Sequence, residues 1–436
     1  MAGDDQRSSE PYLSAGHAAG DGRNGAAQQS AHDAERHKRM RTRREIRFAD
    51  VTFLFVLACF ILVMATLGIA APDRSFSDEE NRNMATWPEL SLTSLQDGTF
   101  ASGVQSYISD QFFGRDSWIS LRLNVEKAEG AEESNGVYLG KDGYLIEQPA
   151  VLDEDRVGRS VASINAFASS HPNLNVRMAV IPNAVCVMSD RLPDNAPVHD
   201  QRTDLAWISS SLADQVDFID VTDALCSHSS EPLYYRTDHH WTSLGASYAF
   251  QAIAPELGID DPIDDYDVYT VADGFEGTMA SKCGSHAVKD TVQVYVPQDT
   301  GSVYYVTNES THQKSSSLYS SEALVNKDKY TVFFGGNYPQ ITINTSNANG
   351  RCLLIFKDSY ANCFVQFLTP YFQKIVMVDP RYYYDNVSTV INNQGVTDVL
   401  FLYNLNTFLG DTSLCDTLDT ANASVSSTAT APVDAS

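Results

Sequence analysis

The chain has 436 residues and a formal net charge of −26, enough length for one large or two ordinary domains with real cores. The charge is uneven: residues 1–50 hold 9 Lys+Arg and 8 Asp+Glu, and the remainder holds 21 and 48. A surface that acidic excludes nucleic acid and other polyanions as general partners, and leaves neutral glycans and cationic surfaces compatible.

Residues 1–50 are rich in Gly, Ala, Ser, Gln, Asp and Arg and almost free of large apolar groups until Ile46. They cannot bury enough surface to offset chain entropy and are expected to form a disordered tail. Next comes "ADVTFLFVLACFILVMATLGIAAP", in which 21 residues, opening at Val51 and closing at Ala71, carry no charge. At helical rise that run crosses the roughly 30 Å hydrocarbon core. The basic block "ERHKRMRTRREIR" precedes it, and such flanks stay cytoplasmic. The run exceeds the usual h-region of a cleaved signal peptide, so residues 51–71 read as a signal anchor, with residues 72–415 an extracytoplasmic domain at the cell membrane. Cys59 lies in the span. The other six cysteines, in an oxidising compartment, are expected to form one or two disulfides, with Cys352 a plain core residue. Neither CxxC nor a Cys/His ligand spacing occurs, so no metal site is expected and no cofactor is implied.

After the anchor, the stretch beginning "SFSDEENRNMATWPELS" reads as a loop followed by helices, and "NGVYLGKDGYLIE" as short strands about a tight turn. From residue 150 the pattern is α/β. Helical stretches near 155–169 and 202–214 alternate with "NVRMAVIPN" and "VDFIDVTDAL", and a helix carrying Leu244, Tyr248 and Ala252 on one face follows residue 242. "YTVFFGG", "RCLLIFKDS", "KIVMVDP" and "VTDVLFLYN" read as further strands. Apolar runs of this kind between helices imply a parallel sheet buried on both faces. Residues 262–329 alternate and are turn-rich, and are expected to be a β-rich insertion. Residues 416–436, rich in Ser, Thr and Ala, are expected to form a disordered tail.

Ligand sites of parallel sheets lie at the carboxyl ends of strands. Two such ends carry chemistry. "LYYRTDHHWTSLGASYAF" delivers Asp238, His239, His240 and Trp241, with Thr242 able to cap the helix behind them. "RCLLIFKDSYANCF" places Ser359 at a strand-to-helix turn. A serine hydroxyl needs a base, usually His near neutral pH, and the imidazole needs its second nitrogen held by a carboxylate. Asp238 and His240, two residues apart, can project to the same side. A capping serine and a satisfied core histidine would also account for each motif singly. Both at strand ends of one sheet point to nucleophile and base, with Trp241 an aromatic wall and Tyr360 a further candidate substrate contact. In "FFGGNYP", Gly336 and Asn337 fit either an ordinary turn or an oxyanion contact. Asp379 and Arg381 read as an ion pair first and a substrate contact second.

These motifs, taken in order, resemble the DHHW protein family, which is similar to the periplasmic alginate O-acetylation proteins and is SGNH-hydrolase-like. The resemblance spans residues 75–410. It implies an α/β, parallel-sheet SGNH-hydrolase-like fold, with Asp238 the orienter, His240 the base, Ser359 the nucleophile and His239 a bystander. One departure stands out: the nucleophile motif reads Lys-Asp-Ser where Gly-Asp-Ser is usual, with Lys357 in the glycine position. The function implied is a membrane-anchored O-acyltransferase, most readily O-acetyl, acting on an exopolysaccharide or cell-wall glycan beside a multipass membrane-bound O-acyltransferase. Alternatives are a carbohydrate esterase or deacetylase with the same triad, and a non-catalytic glycan-binding partner of the membrane enzyme. A metal phosphoesterase lacks a matching ligand set.

Overall fold

The computed structural model describes residues 22–77, 82–298 and 303–429. It divides into two units, Met1–Asp73 with Gln111–Phe113, and Arg74–Asp110 with Gly114–Ser436.

The first unit contains α1 (Gly22–Ala70). Its Ile46–Ala70 portion has a mean hydropathy of 2.8 and none of it is buried in the protein. It is the one helix among the described residues long and apolar enough to cross a membrane. Thr52 and Thr66 each return their hydroxyl to the carbonyl four residues earlier, at 2.8 and 2.7 Å, so their polar groups are paired within the helix. The expected unstructured tail is corrected for residues 22–50, which are helical. Beyond Gly25 that segment has no Gly or Pro and is rich in Ala and Arg, both good helix formers. Residues 1–21 lie outside the described residues.

The second unit opens with α2 (Thr99–Asp110) and α3 (Arg115–Ala128), followed by an antiparallel meander of β1 (Glu133–Ser134), β2 (Val137–Leu139) and β3 (Leu145–Glu147). The α/β part comprises α4 (Glu154–Ser170), β4 (Asn175–Ile181), α5 (Gln201–Ser211), β5 (Val216–Phe218) and α6 (Ser243–Ile253). It continues through β6 (Tyr266–Phe275), β7 (Asp290–Pro297), β8 (Tyr304–Asn308), β9 (Gln313–Ser315) and β10 (Gln340–Thr345). Then come β11 (Cys352–Lys357), β12 (Lys374–Val378), α7 (Val387–Gln394), β13 (Asp398–Asn404) and α8 (Ser413–Ala429). Helix starts are set locally: Asp153, Asp200 and Thr242 each accept a backbone N–H from the first turn of α4, α5 and α6.

The main sheet has eight strands in the order β9-β8-β10-β12-β11-β13-β4-β5. From β12 to β5 the strands are parallel, while β10, β8 and β9 extend the other side in antiparallel pairing. The sheet is therefore mixed. β11 and β13 are buried at every position. Leu353 and Ile355 point into one core cluster with Phe250 and Leu402, and Leu354 and Phe356 into another with Phe167 and Phe401. Both faces of the strand are apolar, which is why the run reads as continuous rather than alternating.

The stretch at 262–329 is β-rich: β6 and β7 form their own hairpin, and β8 and β9 join the main sheet. Three expectations are corrected. "YTVFFGG" is not a strand, because Lys329–Val332 form a 3₁₀ turn capped by Asp328, and Phe334 takes a φ of 64°. Residues 416–429 are helical, since Leu414, Leu418 and Ala421 form a buried stripe in the cluster that contains Val157 and Ile164 of α4. Residues 430–436 lie outside the described residues. All seven cysteines are free thiols. Cys283, Cys352 and Cys363 are buried among apolar neighbours, where a thiol acts as a small hydrophobe.

Candidate active site

The site sits at the carboxyl ends of the parallel strands. β11 ends at Lys357, and Asp358 then holds the turn: its Oδ1 accepts Tyr360 N–H at 2.9 Å and its Oδ2 accepts Asn404 N–H at 2.8 Å and Asn404 Nδ2 at 2.5 Å. Burial pushes the Asp358 carboxyl upward against those donors and the Arg381 charge. Pinned to β13 in this way, the chain enters a short helix (Tyr360–Phe364) with Ser359 in its N-cap position, 8% exposed.

The second segment is a closed loop. Tyr234 and Trp241 form a bridge, Tyr235 N–H donates to His240 O, and Thr242 N–H donates to Leu233 O. Within it, Asp238 Oδ1 accepts both the N–H of His240 at 3.0 Å and its Nδ1 at 2.5 Å. A carboxylate only accepts, so the imidazole proton resides on Nδ1 and Nε2 offers its lone pair. Nε2 lies 2.7 Å from Ser359 Oγ. Asp238 Oδ2 is held by the N–H and hydroxyl of Thr278 at 2.7 and 2.9 Å.

Electrostatics set the protonation states. Burial alone would raise Asp238, but its interactions with the neighbouring imidazoles of His240 and His239 and the hydrogen bonds from His240 and Thr278 hold it far below the usual carboxylate range. Burial, together with His239, pushes His240 down to about 4 against the pull of Asp238. Near neutral pH the imidazole is therefore uncharged and able to take a proton.

Trp241 and Tyr360 have a different role from the expected substrate contacts. Both are fully buried. Trp241 Nε1 donates to Tyr360 O at 3.0 Å and the two rings stack at 5.2 Å, while Tyr360 Oη donates to His239 O at 2.6 Å. These contacts staple the loop carrying His240 to the turn carrying Ser359. Arg381 is held in a two-pronged pair with Asp379, at 2.8 and 2.7 Å, matching its first reading. Gly336 has a φ of 130°, and Asn337 is exposed with its Oδ1 on Lys357 Nζ and Asn362 Nδ2.

Several residues at the site escaped sequence reasoning. Tyr330 lies flat on His240 at 3.8 Å and donates from its hydroxyl to Ser359 O at 2.9 Å. Gly277 and Thr278 clamp Asp238 from a loop forty positions away, and His239 Nδ1 meets Thr278 Oγ1 at 2.6 Å. Asn362 joins the Lys357 network. A cleft of about 350 Å³ lined by Glu147, His239, Thr278, Met279, Asn404, Asn406 and Thr407 adjoins the site. Asp238, His239 and His240 also bring ligand-type atoms within 4.8 Å of one another. However, the oxygens of Asp238 and both nitrogens of His240 are already engaged in hydrogen bonds.

The chain belongs to the DHHW protein family, whose model matches residues 150–378. A DHHW family protein from Eubacterium siraeum is 28% identical, covering 65% of this chain and 95% of that one, with a TM-score of 0.57. PatB1 of Bacillus cereus, solved with a sulfonyl adduct, is 22% identical over 64% of this chain and 97% of its own, with a TM-score of 0.54. The O-acetyltransferase domain of Pseudomonas putida AlgJ is 14% identical over 66% and 99%, with a TM-score of 0.42. No curated protein matches the chain.

Proposed function

We propose that the protein is a membrane-anchored extracytoplasmic O-acyltransferase, moving acetyl groups onto an exopolysaccharide or cell-wall glycan through Ser359, His240 and Asp238. The observation that carries this reading is the 2.7 Å approach of His240 Nε2 to Ser359 Oγ, with Asp238 on the opposite nitrogen. Ser359 Oγ bonds to the acyl carbon of the donor as its proton passes to Nε2. Collapse of the tetrahedral oxyanion breaks the bond to the leaving group, which takes that proton away. A sugar hydroxyl then gives its proton to Nε2 while attacking the acyl-serine, and the serine leaves with the proton restored.

The fold is read as SGNH-hydrolase-like, a reading supported by Ser359 at the strand-to-helix turn after β11 with the His240 ring 2.7 Å from its hydroxyl. The basic block at 35–47 supports a cytoplasmic N-terminus with residues 72–436 outside. The acceptor glycan approaches along the cleft beside His239 and Asn406, and a multipass membrane-bound O-acyltransferase is the partner that brings the acyl group across the bilayer.

The test uses the full chain in detergent. Exposure to an activated acetyl ester should leave one acetyl group on Ser359, detectable by peptide mass, and a sulfonyl fluoride should block the same residue. The Ser359→Ala variant should take up neither, and adding oligosaccharide to the acyl-protein should move the acetyl group to sugar. Undiminished acetyl transfer by Ser359→Ala would refute the assignment. Release of free acetate at the same rate with and without sugar would make the protein an esterase.

A further inference from the structure

The ammonium of Lys357 is buried, and all three of its N–H bonds are used inside the protein. They go to Asn337 Oδ1 at 3.0 Å, Asn362 Oδ1 at 2.9 Å and Asp379 Oδ2 at 3.1 Å. An ammonium only donates, so the atom that Asn337 turns toward it must be the carbonyl oxygen. The same oxygen accepts Asn362 Nδ2 at 2.9 Å. With both lone-pair directions engaged, the Asn337 carboxamide cannot flip, and its Nδ2 faces away from the buried charge. Asn337 is exposed, and its Nδ2 has no acceptor among the described residues.

The grip on Asn337 is tied to the serine. Lys357 stands two residues before Ser359 at the end of β11, and Asn362 three residues after it in the first helical turn. Asp379, at the end of β12, is itself fixed by the Arg381 fork. A glycine at position 357 would leave the carboxamide of Asn337 without its charged anchor.

We propose, on the premise that Ser359 is the nucleophile, that Lys357 is a positioning residue whose buried ammonium, with Asn362, aims the Asn337 N–H₂ at the oxyanion formed when Ser359 attacks. Lys357 touches no substrate and acts through Asn337. A single donor to a developing oxyanion contributes roughly 10²–10³ in rate, and residues acting through one another give non-additive losses.

The experiment is the acylation burst of the full chain in detergent with p-nitrophenyl acetate. Asn337→Ala should slow acylation by roughly 10²–10³ at nearly unchanged KM. Lys357→Gln should do so by a similar factor, and the double variant should be no slower than the slower single one. Asn337→Asp keeps an acceptor for Lys357 and Asn362 but loses the N–H₂. It should melt at or above wild type and acylate as slowly as Asn337→Ala. Multiplying losses in the double variant, or wild-type acylation in either Asn337 variant, overturns the proposal. Should Lys357→Gln not fold, a melting temperature of Asn337→Asp below that of Asn337→Ala overturns it instead, because the ammonium would then give this side chain no support. The Ser359→Ala control separates the two levels. Absence of acyl-Ser359 in the wild-type chain sinks the assignment of the nucleophile, whereas normal acylation at Ser359 with rate-neutral Asn337 and Lys357 variants sinks only the positioning role.

Discussion

Gly277 packs so closely on Asp238 that a Cβ built there would lie 2.3 Å from the Cβ of Asp238 and 2.4 Å from its Oδ2. Both contacts are below the distances real Cβ atoms show, and Asp238 has no slack, since both its oxygens are held. Gly277→Ala is therefore expected to displace the carboxylate from His240. Overpacking of this kind costs about 1–3 kcal/mol of stability. Acylation should fall far more than the melting temperature alone accounts for. A variant that melts like wild type and acylates at the wild-type rate would show that the loop at 277 does not hold Asp238.

Thr278→Val tests the same clamp from its hydroxyl. Valine keeps the volume and the backbone N–H to Asp238 Oδ2, and removes the Oγ1 bonds to Asp238 at 2.9 Å and His239 at 2.6 Å. A stability loss of about 0.5–1.5 kcal/mol is expected, with acylation slowed on the order of tenfold, measured by thermal melting and burst kinetics side by side. The loss should be smaller than for Gly277→Ala, because the carboxylate keeps its place and loses one donor.

Acid should affect rate and stability through the same imidazole. In the folded protein burial, together with His239, pushes His240 down to about 4, against 6.5 for the ordinary side chain. Between those values the unfolded chain binds a proton that the folded one does not, so stability falls as the pH drops from about 6.5 toward 4 and is insensitive to this group at higher pH. Asp238, held below its unfolded value, contributes stability above its ordinary titration range that is lost on further acidification. Acylation should be flat from neutrality down to about pH 5 and decline as pH approaches 4. A limb centred near pH 6.5 would mean that His240 is not buried as described.

All seven cysteines are unpaired, so a reductant should leave the melting temperature unchanged. Denaturation without reduction followed by alkylation should modify seven thiols by mass. Fewer would reveal a bridge.

Much of the scaffold could be read from residues alone. "CLLIFK" and "DVLFLYN" are apolar at adjacent positions with small polar stops, as strands covered on both faces must be, and they are β11 and β13. Thr242 was recognisable as a helix cap because capping acts over three residues, and it accepts Gly245 N–H. The Asp238–His240 pair was legible for the same reason, since a side chain can reach a backbone or ring two residues ahead. By contrast, Thr278 and Tyr330 left no local trace, because their partners lie 40 and 29 or more positions away. Trp241 and Tyr360 were misread because an aromatic beside a polar residue has the same sequence signature whether it lines a cleft or fills a core. "YTVFFGG" shows strand-like composition, yet Lys329–Val332 form a 3₁₀ turn from which Tyr330 stacks on His240.

Sequence alone determined the apolar span, the family and that Ser359 stands at a strand end, because each depends on composition or on interactions a few residues long; the Asp238–His240 segment, expected at a second strand end, follows a helix at Thr222–Cys226 instead. Only the tertiary structure decided that the hydroxyl at 359 meets the ring at 240, that Lys357 turns inward to hold Asn337, and that the β-rich stretch extends the main sheet. Those outcomes depend on side chains distant in sequence competing for one buried volume. That competition is settled by packing and by the need of every buried polar group for a partner.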